Sequence, residues 1–110
     1  MNNALILLPL IADPTRLVIL EVLKEGEAPV GRIVDRVGIS QSGVSRHLRI
    51  LHAAGVVRVR AHGQQRLYAL CPEPFGVLED WISGYRALWS ARLDRFAGAL
   101  TALQLEKDTE

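Results

Sequence analysis

The sequence predicts a mainly α-helical chain carrying one small β-hairpin, and three observations predict it. Apolar residues recur at helical spacing over residues 17–51 and again over residues 75–103, whereas between Val57 and Leu70 the period shortens to two. The dipeptide His62-Gly63 sits inside that short-period stretch, where a tight turn would fold it into a hairpin. With 49% apolar and 23% charged residues, a chain of 110 residues has the composition of one globular core, so residues 1–110 are read as a single domain.

Residues 1–12 carry no charge. They lack the basic start and small-residue cleavage pattern of a signal peptide, and they are shorter than the roughly 20 apolar residues that cross a bilayer. A buried first helix is expected there, short or kinked at Pro9, because a mid-helix proline costs about 3 kcal/mol. Asp13-Pro14 then starts a second helix, with aspartate as cap and proline at a position whose N–H has no helical partner. It runs to about Lys24, stops at Gly26, and carries Leu17, Val18, Ile19, Leu20, Val22 and Leu23, apolar nearly all round, as in a helix enclosed by others.

From Pro29, the residues Val30, Ile33, Val34 and Val37 share one face, with Arg32, Asp35 and Arg36 opposite and Gly38 as the stop. Ser40 caps a third pattern in which Val44, Leu48, Leu51 and Gly55 form one stripe. Helix, glycine-containing turn and serine-capped helix make a helix-turn-helix. The hairpin follows at once: Val57 and Val59 alternate with Arg58 and Arg60, His62-Gly63 turns the chain, and residues 66–70 return with imperfect alternation. A hairpin directly behind a helix-turn-helix is a winged helix-turn-helix.

Pro72 and Pro74 end the hairpin. A last helix then carries Phe75, Leu78, Ile82, Tyr85, Trp89, Leu93, Phe96, Leu100 and Leu103. Unbroken to Gln104 it would be about 46 Å long, beyond the roughly 30 Å width of a small domain. A helix that overruns its core while staying apolar needs a second surface. The expectation is a homodimer built on the first and last helices, with Leu5, Leu8, Trp81, Tyr85, Trp89, Phe96 and Leu100 at the interface. The alternatives are a helix broken at Gly84 or Gly98 and folded back, and an aromatic box holding a small apolar effector between two chains. Residues 106–110 are expected to be a frayed acidic tail.

A net charge of +1 hides an asymmetry: residues 30–66 hold seven arginines against one acid, while the remainder of the chain is net acidic. An all-arginine block fits a polyanionic partner, since guanidinium pairs bidentately with phosphate or guanine. On the third helix Gln41, Ser42, Ser45, Arg46 and Arg49 lie opposite the apolar stripe; Gln and Arg engage purine edges at two points, and the Ser40-capped N-terminus favours an anion. Arg58, Arg60, His62, Gln64, Gln65 and Arg66 surround the hairpin tip, where they would reach phosphates or the minor groove. Double-stranded DNA is the expected partner; a module docking an acidic protein is the other reading that charge allows. The single Cys71 excludes an intrachain disulfide and multi-thiolate sites, fits a reducing compartment, and reads as a packing residue. No nucleophile-base pair, paired carboxylates or phosphate loop points to an enzyme or to a cofactor.

The run Ile39-Ser40-Gln41-Ser42-Gly43-Val44-Ser45-Arg46-His47-Leu48-Arg49-Ile50-Leu51, followed by Ala54-Gly55-Val56-Val57 and residues 63–68, resembles the ArsR family of prokaryotic winged helix-turn-helix repressors. Ala12-Asp13-Pro14-Thr15-Arg16 resembles that family's second-helix opening, and the likeness extends over residues 10–100. It implies a cytoplasmic homodimer that binds an inverted-repeat operator and represses its own or a neighbouring operon. His47 matches the family's histidine on the recognition helix, either touching phosphate or packing behind the helix. Metal-sensing members carry Cys-x-Cys before the turn or Asp and His on the last helix; residues 29–37 hold no Cys or His and the last helix no His, so no metal is expected.

Overall fold

The computed structural model describes residues 3–108. In chain order it contains α1 (Asn3–Ile11), α2 (Pro14–Lys24), β1 (Ala28–Pro29), α3 (Val30–Val37), α4 (Gln41–Ala53), β2 (Val57–His62), β3 (Gln65–Leu70) and α5 (Pro72–Asp108). The chain divides into two compact units, Met1–Leu78 and Glu79–Glu110, and the described part of the second is a stretch of α5 alone.

Helix boundaries in the first unit follow from their caps. The Asp13 carboxylate accepts from the N–H groups of Thr15 and Arg16 at 2.9 and 3.1 Å, with Pro14 at the first helical position. Those bonds hold the Asp13 carboxyl below its ordinary pKa, against the opposing effect of desolvation. Gly38 ends α3 in the left-handed region at φ 81°, donating its N–H to the Val34 carbonyl. At the end of α4, Gly55 (φ 77°) and Val56 donate to the carbonyls of His52 and Leu51 at 3.0 and 2.9 Å, the paired closure of a Schellman motif. Gly55 is thus the stop of α4 and not part of its apolar stripe. The closure also delivers Val56 and Val57, both buried, to the start of the sheet.

The sheet has three antiparallel strands in the order β1-β3-β2. β1, with Ala28 opposite Tyr68 and Pro29 opposite Leu67, is an addition to the expected hairpin; Pro29, read from sequence as a helix start, serves both as edge-strand residue and as the cap position of α3. Hairpin register pairs Val57 with Leu70 and His62 with Gln65, so the turn is Gly63-Gln64, one residue later than expected. Gly63 has φ 63°, and among the described residues only glycines take positive φ, which fits a turn with glycine first; His62 in that place would be strained. The core gathers Ile19, Ile33, Val44, Leu48, Leu51, Val56 and Val57 from α2, α3, α4 and the α4-β2 junction.

Two burial expectations need correcting. α2 is not enclosed: Ile19, Leu20, Val22 and Leu23 are buried, but Leu17 and Val18 are 47% and 42% exposed, because its neighbours cover only one side. α1 passes through Pro9 and buries Ala4 and Leu7, leaving Leu5 and Ile6 more than half exposed. α5 is unbroken at Gly84 and Gly98, starts at Pro72 and extends to Asp108, so residues 106–108 are helical where a frayed tail was expected; 109 and 110 lie outside the described residues. Pro72 and Pro74 are tolerated because both fall in the first turn, where N–H groups lack helical acceptors.

Gly55→Ala, with open space around the position, should cost only left-handed backbone strain of about 1 kcal/mol, whereas Leu48→Ala should cost about 2 to 5 kcal/mol. Urea unfolding measures both; a loss at Gly55 as large as that at Leu48 would show that the terminus holds α4 as firmly as its core face does.

Candidate nucleic-acid interface

α4 owes its start to Ser40, whose Oγ accepts from the Gly43 N–H at 3.2 Å and lies 3.2 Å from the Ser42 Oγ. A Cβ at Gly43 would come within 3.0 Å of Ile39 Cδ1, so the missing side chain lets Ile39 close over the first turn. Val44, His47, Leu48 and Leu51 are buried along one side of the helix. Ser42, Arg46 and Arg49, spaced i, i+4 and i+7, are exposed along the other, with exposed Gln41 and half-buried Ser45 at its margin.

His47 does not belong to that outward face. It is 8% exposed, and its Nδ1 accepts from Arg16 Nε at 3.2 Å, which requires the tautomer protonated on Nε2. Arg16 Nη1 also donates to the Leu10 carbonyl at 2.7 Å. One guanidinium in the first turn of α2 therefore joins the end of α1 to the inner side of α4. Of the two roles open to His47 from sequence, the structure places it in packing.

On the hairpin, Arg58, Arg60 and His62 alternate onto one face with Ala69, Leu67 and Gln65 opposite them. Gln64 and Arg66 are exposed beside the turn. Arg60 is not free: its Nε and Nη2 donate to the two Glu27 carboxylate oxygens, both at 2.7 Å. Glu27 directly precedes β1 and Arg60 lies on β2, so the pair spans the middle strand β3. Hydrogen bonding to Arg60 holds the Glu27 carboxyl below its ordinary pKa; Arg58 and His62 reinforce the effect by their charge, and desolvation opposes it. Arg36 is likewise bound, its Nη1 and Nη2 lying 3.1 and 3.3 Å from the Glu25 carboxylate. Two of the seven arginines of the basic block are thereby paired by acids just outside it. Arg32, Arg46, Arg49, Arg58 and Arg66 make no ion pair among the described residues.

Among the described residues no three His, Cys, Asp or Glu side chains come together as a metal site, and no helix is long and apolar enough to cross a membrane. A cleft of about 340 Å3 is lined by Ile6, Leu7, Ala54, Glu73, Pro74 and Val77. Along α5, Ile82, Trp89, Phe96 and Leu103 repeat every seven residues, with Leu93 and Leu100 three residues before the last two; all are about half exposed or more, Trp89 at 62% and Phe96 at 63%. Tyr85 packs edge-on against half-buried Trp81, ring centroids 5.2 Å apart.

The model of the bacterial regulatory protein, arsR family, matches residues 13–59, which span α2 to the start of β2. The chain is 42% identical over 60 residues to the transcriptional repressor SdpR of Bacillus subtilis, covering 54% of this chain and 67% of SdpR. It is 32% identical over 87 residues to the HTH-type transcriptional regulator Rv2034 of Mycobacterium tuberculosis, covering 79% of this chain and 78% of that one. With the HTH-type transcriptional repressor SmtB of the same organism it shares 42% over 64 residues, 58% of this chain but only 47% of SmtB. Among solved structures, a possible transcriptional regulator for arsenical resistance superposes with a TM-score of 0.65 at 33% identity, covering 71% of this chain and 81% of that one. HlyU from Vibrio cholerae gives 0.63 at 34% identity, covering 76% of this chain and 91% of its own. These neighbours match the helix-turn-helix with its β-wing.

Arg16→Lys keeps the charge but offers one ammonium where two acceptors are held apart by a planar fork. The variant should lose about 1 to 3 kcal/mol of stability in urea unfolding. Unchanged stability would mean that the Arg16 contacts do not seat α4.

Proposed function

The chain belongs to the ArsR family of bacterial regulatory proteins, and on that premise we propose that it acts as a homodimeric repressor, reading an inverted-repeat operator with α4 in the major groove and the β2-β3 wing on the flanking backbone or minor groove. As a family member it is a DNA-binding transcriptional regulator and not an enzyme. The observation that carries the finer reading is the division of α4 into a buried side and an outward side bearing Ser42, Arg46 and Arg49 beside a capped N-terminus. Arg46 reads a base edge, with Gln41, Ser42 and Ser45 in support and Arg49 on the backbone. Ser40 spends its hydroxyl on the helix cap and presents the first-turn N–H groups to a phosphate. On the wing, Arg58, His62 and Gln65 meet the DNA from one face of the hairpin, Gln64 from its turn and Arg66 from the other face; the cytoplasm is where that DNA lies.

The seven-residue apolar repeat of α5 supports the dimer, because aromatic and leucine side chains so placed on an unpartnered helix form the seam of a helix pair. From α1, Leu5, more than half exposed, and half-buried Leu8 are also assigned to the interface in this reading. Trp81, Tyr85, Trp89, Phe96 and Leu100 form the core of the interface in this reading. A palindrome is legible only to two recognition helices at fixed spacing, so dimerisation belongs to the mechanism. No metal or cofactor enters the reading.

Arg46→Ala should weaken operator binding by about 1 to 3 kcal/mol and relax base preference at two symmetric positions. Equal loss on operator and random duplexes would make Arg46 a phosphate contact. Trp89→Glu should split the dimer and abolish operator binding together, since an unpaired carboxylate in a dry seam is not tolerated. A folded Trp89→Glu chain that sediments as a dimer and binds normally would place Trp89 outside the interface.

A further inference from the structure

Glu27 is an acid set among cations. Its carboxylate receives two 2.7 Å hydrogen bonds from Arg60, and Arg58 and His62 on the same face of β2 also act on it through their charge. Its side chain is 31% exposed and that of Arg60 57%, so the pair lies at the surface of the wing. A carboxylate that engages a guanidinium at two points imitates a phosphate, because the same fork geometry serves both anions. Glu27 also lies outside the arginine block, so its effect on the charge of that block appears only in the folded chain.

We propose that Glu27 is a built-in competitor for DNA phosphate, which withholds Arg60 from the duplex and sets the affinity of the wing for any DNA. The inference rests on the placement of the wing against DNA. In the native chain the pair is neutral as a unit, and a phosphate nearing Arg60 meets the Glu27 charge as well. Because both side chains face solvent, the pair itself is weak, and its influence lies in the cation it neutralises. Removing the carboxylate while keeping its shape releases one guanidinium per wing. A released phosphate contact steepens the slope of log K against log salt by about 0.9 and is worth roughly fivefold in affinity at 0.15 M salt, whatever the sequence bound.

The test is binding of the full chain to a random-sequence duplex across a salt series, for the native protein, Glu27→Gln, Arg60→Ala and the double variant. Glu27→Gln should bind roughly fivefold tighter per wing with the steeper slope, and the double variant should lose that gain. The double variant, neutral at both positions like the native pair, should match native affinity and slope within twofold, whereas Arg60→Ala alone leaves the Glu27 charge uncompensated and should bind less tightly than the double variant. A native Arg60 already on DNA would show instead as weaker binding and a shallower slope in the double variant than in the native chain, and that overturns the proposal, as does a gain by Glu27→Gln that survives in the double variant or no gain at all. If the native chain binds no duplex, the DNA reading fails along with it; failure of the variants alone leaves that reading intact.

Discussion

The hydrogen bond from Arg16 to His47 fixes which side of α4 the chain keeps and which it offers. A recognition helix has to be held firmly by one face so that the other meets DNA in register, and a shift of one residue turns its face by about 100°. Val44, Leu48 and Leu51 supply non-directional burial; the contact of a neutral imidazole with a guanidinium adds direction. The same guanidinium reaches the last turn of α1 through the Leu10 carbonyl, and its backbone N–H helps to satisfy the Asp13 cap. One turn of α2 therefore starts that helix, ends α1 and orients α4.

Charge is distributed with a comparable economy. The arginine block looks uniformly available along the chain, yet Glu25 and Glu27 fold back onto Arg36 and Arg60. The first pair ties the end of α2 to α3, and the second straps the outer edges of the three-stranded sheet across β3. Among the described residues, the arginines left without ion pairs include Arg46 and Arg49 on α4 and Arg58 and Arg66 on the wing, the two elements read as meeting DNA.

What was legible in the sequence is what local chemistry decides. Asp13-Pro14, Ser40, Gly38 and the 3.6-to-2 change of period placed the helices and the hairpin, because caps and periodicity act within a few residues. β1 escaped because two residues, one of them proline, have no period; only their pairing with Tyr68 and Leu67 makes them a strand. The turn slipped by one residue because His62-Gly63 and Gly63-Gln64 both contain the required glycine, and register chooses between them. In the candidate site, the outward face of α4 followed from spacing. The burial of His47 and the pairing of Arg60 join residues 31 and 33 positions apart, and no local signal carries either.

The proposed homodimer would present two recognition helices to one duplex. Hydroxyl-radical footprinting of the protein on its operator tests this most directly. The account predicts two protected segments related by a dyad, with centres about one helical turn, roughly 34 Å, apart. A single protected segment without dyad symmetry would contradict it.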